Sequence, residues 1–298
     1  MSDYTGRFAP TPSGPLHVGS LVAALASRAD ALAHQGRWYC RIDNIDPPRE
    51  VSGSAQGLLN TLSEYSLDWH DDVIWQSDQL DKYSNALKTL QAQGTLFRCY
   101  CSRKFLTGRP CCASNCRQFS VRADDCELHD KPDISGDYSI RLALTGELTV
   151  RDRIQPPLVL NFDKDLQDVV LRRRDCLASY ALACAVDDAT VITHVVRGAD
   201  LFPGSAIQIA IMQQLDLLPP VYAHTPVIVD LNGRKLGKQT GAEAIDKLPR
   251  VDTLLYAWQL LGQSFEPAQR TKNIEEFWHL VPSAWSIDKV PRRVELPA

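Results

Sequence analysis

The sequence lacks long apolar runs, and none approaches the about 18 residues that a membrane-spanning helix needs. Its start, MSDYTGRFAP, lacks the apolar segment of a secretory signal, so we expect a cytoplasmic protein that does not contact membranes. Internal repeats and low-complexity tracts are also missing. With 44% hydrophobic and 23% charged residues, the chain has the composition of a globular protein.

An excess of basic residues is missing as well, since the net charge is −4. This balance excludes a generally basic nucleic-acid binder but not a local basic surface. Three arginine-rich segments, 151–153, 171–175 and 290–295, have two interpretations. They contact RNA phosphates, or they form ordinary solvated surface.

The chain contains neither the lysine-bearing P-loop nor the three-glycine dinucleotide fingerprint. It has instead the loop APTPSGPLHVGS (9–20), which follows strand-forming residues and precedes helical periodicity that ends near Gly36. With the strand-like RWYCRID (37–43), these segments predict a βαβ unit. The backbone N–H groups before such a helix attract anions, and His17 can donate to phosphate oxygens. The alternative is a helix-entry turn with an exposed histidine.

The α/β pattern is interrupted once. We predict one half of an α/β domain at 1–75, an insertion at 76–150, the second half at 151–248, and a short helical appendage at 249–298. Within the insertion, YSIRLAL and LTVRDRI predict a hairpin.

A second loop, GRKLGKQ (233–239), follows the last predicted strand and carries Lys235 and Lys238. Alone, such a loop is typically a solvated turn, but with the histidine loop it forms a specific pair. PSGPLHVGS resembles the HIGH signature, and KLGKQ the KMSKS signature, of class I aminoacyl-tRNA synthetases. RFAPTPSGPLHVGSL, RIDNIDPPRE and VVRGADL are closer to the glutamyl-tRNA synthetases, and most similar to their shortened paralogues, the glutamyl-queuosine tRNA(Asp) synthetases. The resemblance runs from about Arg7 to Ala242.

The resemblance implies a Rossmann-type parallel sheet, split by an acceptor-binding insertion, with the adenylate at the carboxyl ends of the strands. It implies that glutamate attacks the α-phosphate of ATP, assisted by Mg²⁺. His17 and Lys238 would stabilise the developing charge and Lys235 would assist. The implied ATP-binding residues are Pro12, Gly14, His17, Gly19, Ser20 and Lys238.

A glutamate pocket is implied by the same resemblance. Its residues are Arg7, Ala9, Thr11, Asp43, Tyr180 and Arg197. Arg7 fits a bidentate clamp on a carboxylate. Taken in isolation, Arg7 and Arg197 also fit surface charge, and Tyr180 also fits core packing. Asp200 is expected to orient Arg197 or to cap a helix.

Two positions depart from the family pattern. Asp43 stands where the family has glutamate, which sets its carboxylate back by about 1.5 Å. Gly237 stands where the family has serine, which removes a hydroxyl and loosens the loop. We expect weaker glutamate affinity or slower activation, which Asp43→Glu and Gly237→Ser would test by ATP–pyrophosphate exchange.

Nine cysteines occur, five of them between 99 and 116. Without an export signal, this cluster favours a metal site over disulfides, and four thiolates suit tetrahedral zinc. The resemblance assigns one structural zinc ion to Cys99, Cys101, Cys112 and Cys116, with the choice between Cys111 and Cys112 open. The alternative is a group of reduced, unliganded thiols.

The acceptor is predicted from length. The chain ends about 56 residues after KLGKQTGA, so we expect no anticodon-binding domain of the ordinary glutamyl type. The resemblance then implies a monomer that transfers glutamate to the queuosine base in the anticodon loop of tRNA(Asp). The alternatives are a degenerate paralogue that acts on another acceptor or only binds RNA, and a nucleotidyltransferase that uses the same histidine loop.

Overall fold

The computed structural model describes residues 3–101, 116–133, 136–164, 168–230, 232–236, 243–265 and 271–298. The predicted site residues Lys238 and Cys112, together with Gly237 and Cys111, lie outside these ranges. The strands are β1 (Thr5–Phe8), β2 (Arg37–Ile42), β3 (Ile74–Trp75), β4 (Leu96–Cys99), β5 (Ser139–Leu142), β6 (Glu147–Val150), β7 (Leu158–Asn161), β8 (Val169–Arg172), β9 (His194–Gly198), β10 (Val221–Thr225), β11 (Val227–Val229) and β12 (Glu295–Pro297). The longer helices are α1 (Val18–Ala33), α2 (Ser54–Glu64), α3 (Leu80–Ala92), α4 (Tyr180–Val191), α5 (Phe202–Gln214), α6 (Arg250–Leu260) and α7 (Ile274–Ala284).

The predicted parallel α/β arrangement is confirmed. Strands β1, β2 and β3 pair in parallel, as do β9 and β10. The N–H of Thr193 donates to the carbonyl of Thr5 at 3.0 Å, which brings β9 beside β1. Since all carboxyl ends of parallel strands meet at one edge, the loops after β1 and β9 emerge together.

The sequence of helix α1 explains why the helix is buried at the centre of the fold. Ala24, Leu25, Ala26 and Ala29 are fully buried, and small side chains let the helix pack closely on the sheet. The helix is followed by Gly36, where a Cβ atom would lie 2.5 Å from the carbonyl oxygen of Tyr4. Glycine therefore allows the chain to turn tightly into β2.

The insertion is built differently from the prediction. β5 is the middle strand of an antiparallel sheet with β4 and β8, whereas β6 pairs with β7. The predicted hairpin of 138–144 with 148–154 is therefore wrong. Local alternation located the strands, but the pairing of β5 with β4 and β8 is set by burial in a second hydrophobic core that includes Tyr83, Ile140 and Leu171.

The described part of the last 50 residues packs on the first half of the sheet. Helices α6 and α7 contact α1, and Trp258, Trp278 and Trp285 join Trp38 in one hydrophobic core around it. Strand β12, which the helical pattern did not predict, pairs in parallel with β11. Among the described residues, no helix combines the length and the apolar character needed to cross a bilayer.

Candidate active site

A cleft of about 290 Å³ opens where the loops after β1, β9 and β11 meet. Most predicted ATP- and glutamate-site residues line it, namely Arg7, Ala9, Thr11, Gly14, His17, Gly19, Ser20, Tyr180, Arg197 and Lys235. Pro12 and Asp43 are described residues that do not line this cleft. The two signature loops, more than two hundred residues apart in sequence, thus share one cavity.

His17 is the N-cap of α1. Its Nδ1 accepts from the N–H of Ser20 at 3.4 Å, and its Nε2 lies 3.2 Å from the Ser20 hydroxyl. A Cβ atom on Gly19 would lie 3.2 Å from the imidazole ring and 3.8 Å from the carbonyl oxygen of Leu236. The missing side chain therefore lets the imidazole and the second signature loop come together at a helix N-terminus, which favours anions.

Lys235 reaches the same rim from the other loop. The N–H of Leu236 donates to the carbonyl of Ile228 at 2.8 Å, which folds this loop back on β11. The Lys235 Nζ forms an ion pair of 2.6 Å with Asp200. Asp200 is the middle residue of a short 3-10 turn, Ala199–Leu201, after β9, and its carboxylate accepts from this lysine rather than from Arg197. The expectation that Asp200 orients Arg197 is corrected accordingly.

Arg7 is buried, which excludes the surface-charge interpretation. Its Nε and Nη2 donate to the two carboxylate oxygens of Asp188 at 3.1 and 3.0 Å. Arg41 donates to the same carboxylate at 2.7 Å through Nη1. Burial by itself would raise the pKa of Asp188, but Arg7 and Arg41 hold it well below its ordinary value. Asp188 therefore stays charged and orients both guanidinium groups.

Asp43 lies beside this network. Arg41 donates to its two oxygens, through Nε at 2.7 Å and through Nη2 at 3.4 Å. Burial raises the pKa of Asp43, and Arg41 opposes that shift. Because Arg41 occupies both carboxylate oxygens, the contact of Asp43 with a substrate amino group stays a prediction.

Arg197 is also buried, with 4% of its surface exposed. Its Nε donates to Nε2 of His224 at 3.2 Å, and its Nη2 donates to Ser205 and Gln208 at 2.7 and 2.9 Å. Tyr180, by contrast, is 38% exposed at the cleft, so the core-packing interpretation of Tyr180 is wrong. The described residues thus place one partly exposed tyrosine and two buried guanidinium groups on one cavity.

Three predicted metal ligands lie together in the insertion. The sulfurs of Cys99, Cys101 and Cys116 are all within 4.8 Å of one another, and Cys101 and Cys116 are 3.9 Å apart. Tetrahedral zinc with bonds of about 2.3 Å separates two sulfurs by about 3.8 Å. The three thiols fit zinc, and the fourth predicted ligand, Cys112, falls in the undescribed segment.

The arginine-rich segments are partly internal. Arg153 pairs with Asp30 at 2.5 Å, Arg173 bridges Asp46 and Asp175, and Arg172 is buried. These three side chains therefore hold the fold together and are not free to bind RNA phosphates in this conformation.

Three residues around the cleft were not singled out by the sequence analysis, namely Arg41, Asp188 and His224. Each is a polar residue inside an otherwise buried segment, which is the signal that could have found them. Their partners lie 147, 181 and 27 positions away in the chain, and local patterns do not reveal such distant contacts.

Comparisons with known proteins agree with this geometry. Residues 4–258 match the family described as tRNA synthetases class I (E and Q), catalytic domain. A glutamyl-Q tRNA(Asp) synthetase of Aromatoleum aromaticum is 39% identical over 99% of this chain and 93% of the relative. One from Burkholderia cenocepacia is 39% identical over 97% of this chain and 98% of the relative. The crystal structure of a glutamate-tRNA synthetase from Elizabethkingia anophelis shares the fold, with a TM-score of 0.77 at 20% identity, and the match covers 99% of this chain and 68% of that one.

Proposed function

Because this chain belongs to the class I tRNA synthetases for E and Q, and within them to the glutamyl-Q tRNA(Asp) synthetases, we propose that it activates glutamate with ATP and transfers it to queuosine in tRNA(Asp). The chain is a ligase-type enzyme. The main supporting observation is a single cleft with two buried guanidinium groups, Arg7 and Arg197, beside a helix-capping histidine and a lysine.

Activation is a displacement at phosphorus. A carboxylate oxygen of glutamate attacks the α-phosphorus of ATP, the bond to the bridging oxygen breaks, and pyrophosphate leaves. Arg7 and Arg197 bind carboxylate, while His17 and Lys235 donate to phosphate oxygens as charge develops. Lys238 is proposed for the same role. Mg²⁺ would accompany the ATP phosphates and neutralise part of their charge, and Asp200 is the carboxylate on the described part of the cleft.

Transfer follows at the acyl carbon. A hydroxyl of the queuosine base attacks the glutamyl-adenylate, gives up its proton, and AMP leaves. We place one structural zinc ion on Cys99, Cys101, Cys116 and the undescribed Cys112, where it would hold the insertion. The active species is proposed to be a cytoplasmic monomer.

The acceptor is the point to test. Labelled glutamate and ATP are incubated with the enzyme and tRNA(Asp) that carries or lacks queuosine, with tRNA(Glu) as the matched control. We expect label only on queuosine-containing tRNA(Asp), released by nuclease together with the anticodon loop. Label on tRNA(Glu) would refute the proposed acceptor, and absence of glutamate-dependent ATP–pyrophosphate exchange would refute glutamate activation.

The degenerate alternative is less well supported. The likeness to the named relatives extends over nearly the whole chain, and most described residues of the two signature loops line one cavity. A protein that only bound RNA would not need a buried pair of arginines beside a helix N-terminus.

A further inference from the structure

One guanidinium nitrogen of Arg197 lacks an acceptor among the described residues. Its Nε and Nη2 have protein acceptors, whereas Nη1 is buried and has no hydrogen-bond partner among the described residues. A buried donor without a partner is energetically unfavourable, so it favours an incoming acceptor. Since Arg197 lines the cleft, that acceptor would be a ligand carboxylate.

One of the groups that hold the Arg197 guanidinium is His224. Its ring is fully buried, and Nδ1 lies 2.6 Å from Oδ2 of Asp152. An aspartate accepts, so Nδ1 carries the proton and the other ring nitrogen, Nε2, has its lone pair free. That lone pair accepts from Nε of Arg197 at 3.2 Å. The tautomer of His224 therefore suits the arginine.

We propose that Asp152 and His224 form a positioning pair, in which the aspartate selects the tautomer of the histidine and the histidine turns Nη1 of Arg197 toward the substrate carboxylate. The inference rests on the proposed function, because it names the pair that prepares the glutamate pocket. Neither residue lines the cleft, so both act through Arg197.

The surroundings of His224 keep it neutral. Burial lowers its pKa and Asp152 opposes that shift, while Arg197 and Arg7 lower it further. From α5, Ser205 lies 3.1 Å from Nε2, and the ring of Phe202 packs at 4.7 Å. On its own strand, the ring of Tyr222 stacks at 5.8 Å. A protonated ring would turn a second N–H toward the donor of Arg197.

Asp152→Asn tests the pair with little change of shape. Oδ1 of Asp152 accepts from the backbone N–H groups of Ile154, Gln155 and His224 at 2.9, 2.8 and 3.1 Å, and an asparagine oxygen keeps all three. Its NH₂ group then donates to Nδ1, which moves the ring proton to Nε2, against Arg197. We expect the KM for glutamate to rise about 10- to 100-fold, with the KM for ATP unchanged.

Three controls separate positioning from structure. Asp163→Asn alters an exposed carboxylate that also accepts a backbone N–H, and it should leave both KM values unchanged. In an Arg197→Ala background, Asp152→Asn should cost almost nothing further, because the pair acts through that arginine. Nitrogen-15 NMR of the histidines should show His224 protonated at Nδ1 in the wild type and at Nε2 in the variant.

A second pair of variants tests the proposal even if Asp152→Asn does not fold. His224→Gln keeps an amide oxygen that can accept from Arg197, and it should retain more glutamate affinity than His224→Leu, which has no acceptor. A glutamate KM of Asp152→Asn within twofold of wild type, or equal KM values for the two His224 variants, would overturn the positioning role. A wild-type enzyme that exchanges pyrophosphate only with another amino acid would instead overturn the proposed function.

Discussion

Asp188 is a single carboxylate that serves two arginines of the site. It is fully buried, and it accepts from Arg7 and from Arg41. Without it, Arg7 would lose this carboxylate and face the guanidinium of Arg41, which keeps its contact with Asp43, in a dry environment. Removal of one member of a buried ion pair commonly costs about 3–5 kcal/mol, because the remaining charge is left uncompensated.

We therefore expect Asp188→Asn to lower the free energy of unfolding by about 3 kcal/mol and to raise the KM for glutamate at least about tenfold. The pKa of Asp188 is lower in the folded than in the unfolded chain, so its contribution is present above the unfolded value of about 4 and is lost as the pH falls below it. Urea unfolding at several pH values should show the gap between variant and wild type narrowing in acid.

The control is Asp68→Asn. Asp68 is 69% exposed and lies 3.8 Å from Arg28, so its loss should change stability by at most about 1 kcal/mol. If Asp188→Asn and Asp68→Asn lowered the free energy of unfolding equally at neutral pH, the interpretation of Asp188 as the shared partner of two arginines would be wrong.

At the scale of elements, the N-terminus of α1 determines how His17 and the loop of Lys235 fit together. Its second residue, Gly19, leaves room for the imidazole of His17 and for the loop of Lys235. A helix normally gains about 1 kcal/mol when glycine becomes alanine. Here a methyl group would press on the histidine ring at 3.2 Å.

Gly19→Ala should therefore slow ATP–pyrophosphate exchange about 10- to 100-fold while the protein stays folded. Gly57→Ala is the matched control, since Gly57 lies in α2 and its Cβ would meet nothing within 4 Å. That control should raise the unfolding free energy by up to about 1 kcal/mol with exchange unchanged. Equal exchange rates for the two variants would show that the absence of a side chain at Gly19 is not needed for the reaction.

Helices and strands that form because of a local sequence pattern were predictable from the sequence. Apolar periodicity located α1, and the strand density of RWYCRID located β2. The segment VYAHTPVIVD was predicted as one strand, but it forms β10 and β11 on either side of Pro226. Proline has no N–H for a ladder, which explains the break. The pairing of β5, and the contact of Arg7 with Asp188, depend on residues far apart in sequence and needed the structure.

At the scale of the whole molecule, the described residues form two main hydrophobic cores, one under the parallel sheet and one under the insertion. The three described thiols of the cysteine cluster belong to the insertion and do not line the cleft. A metal there would stabilise one part of the molecule without touching the reacting atoms.

We expect one zinc ion per chain by elemental analysis, lost in Cys101→Ser and kept in Cys126→Ser, whose thiol is buried outside the cluster. Loss of the metal should lower the thermal midpoint, because metal binding to the folded form stabilises it. Glutamate-dependent exchange should persist while transfer to tRNA falls. A wild-type protein without metal, or a Cys101→Ser variant that keeps it, would contradict the assignment.

The distribution of tryptophan gives this enzyme an optical label. All six tryptophans lie in, or pack against, the core around α1, and none belongs to the core of the insertion. Indole emission therefore reports on the half of the molecule whose central helix presents His17. Phenol rings such as that of Tyr83 remain for the other half. Excitation at the red edge of the absorption band excites the tryptophans and not the tyrosines. Without chemical labelling, the emission then reports on the core beside the cleft and not on the insertion.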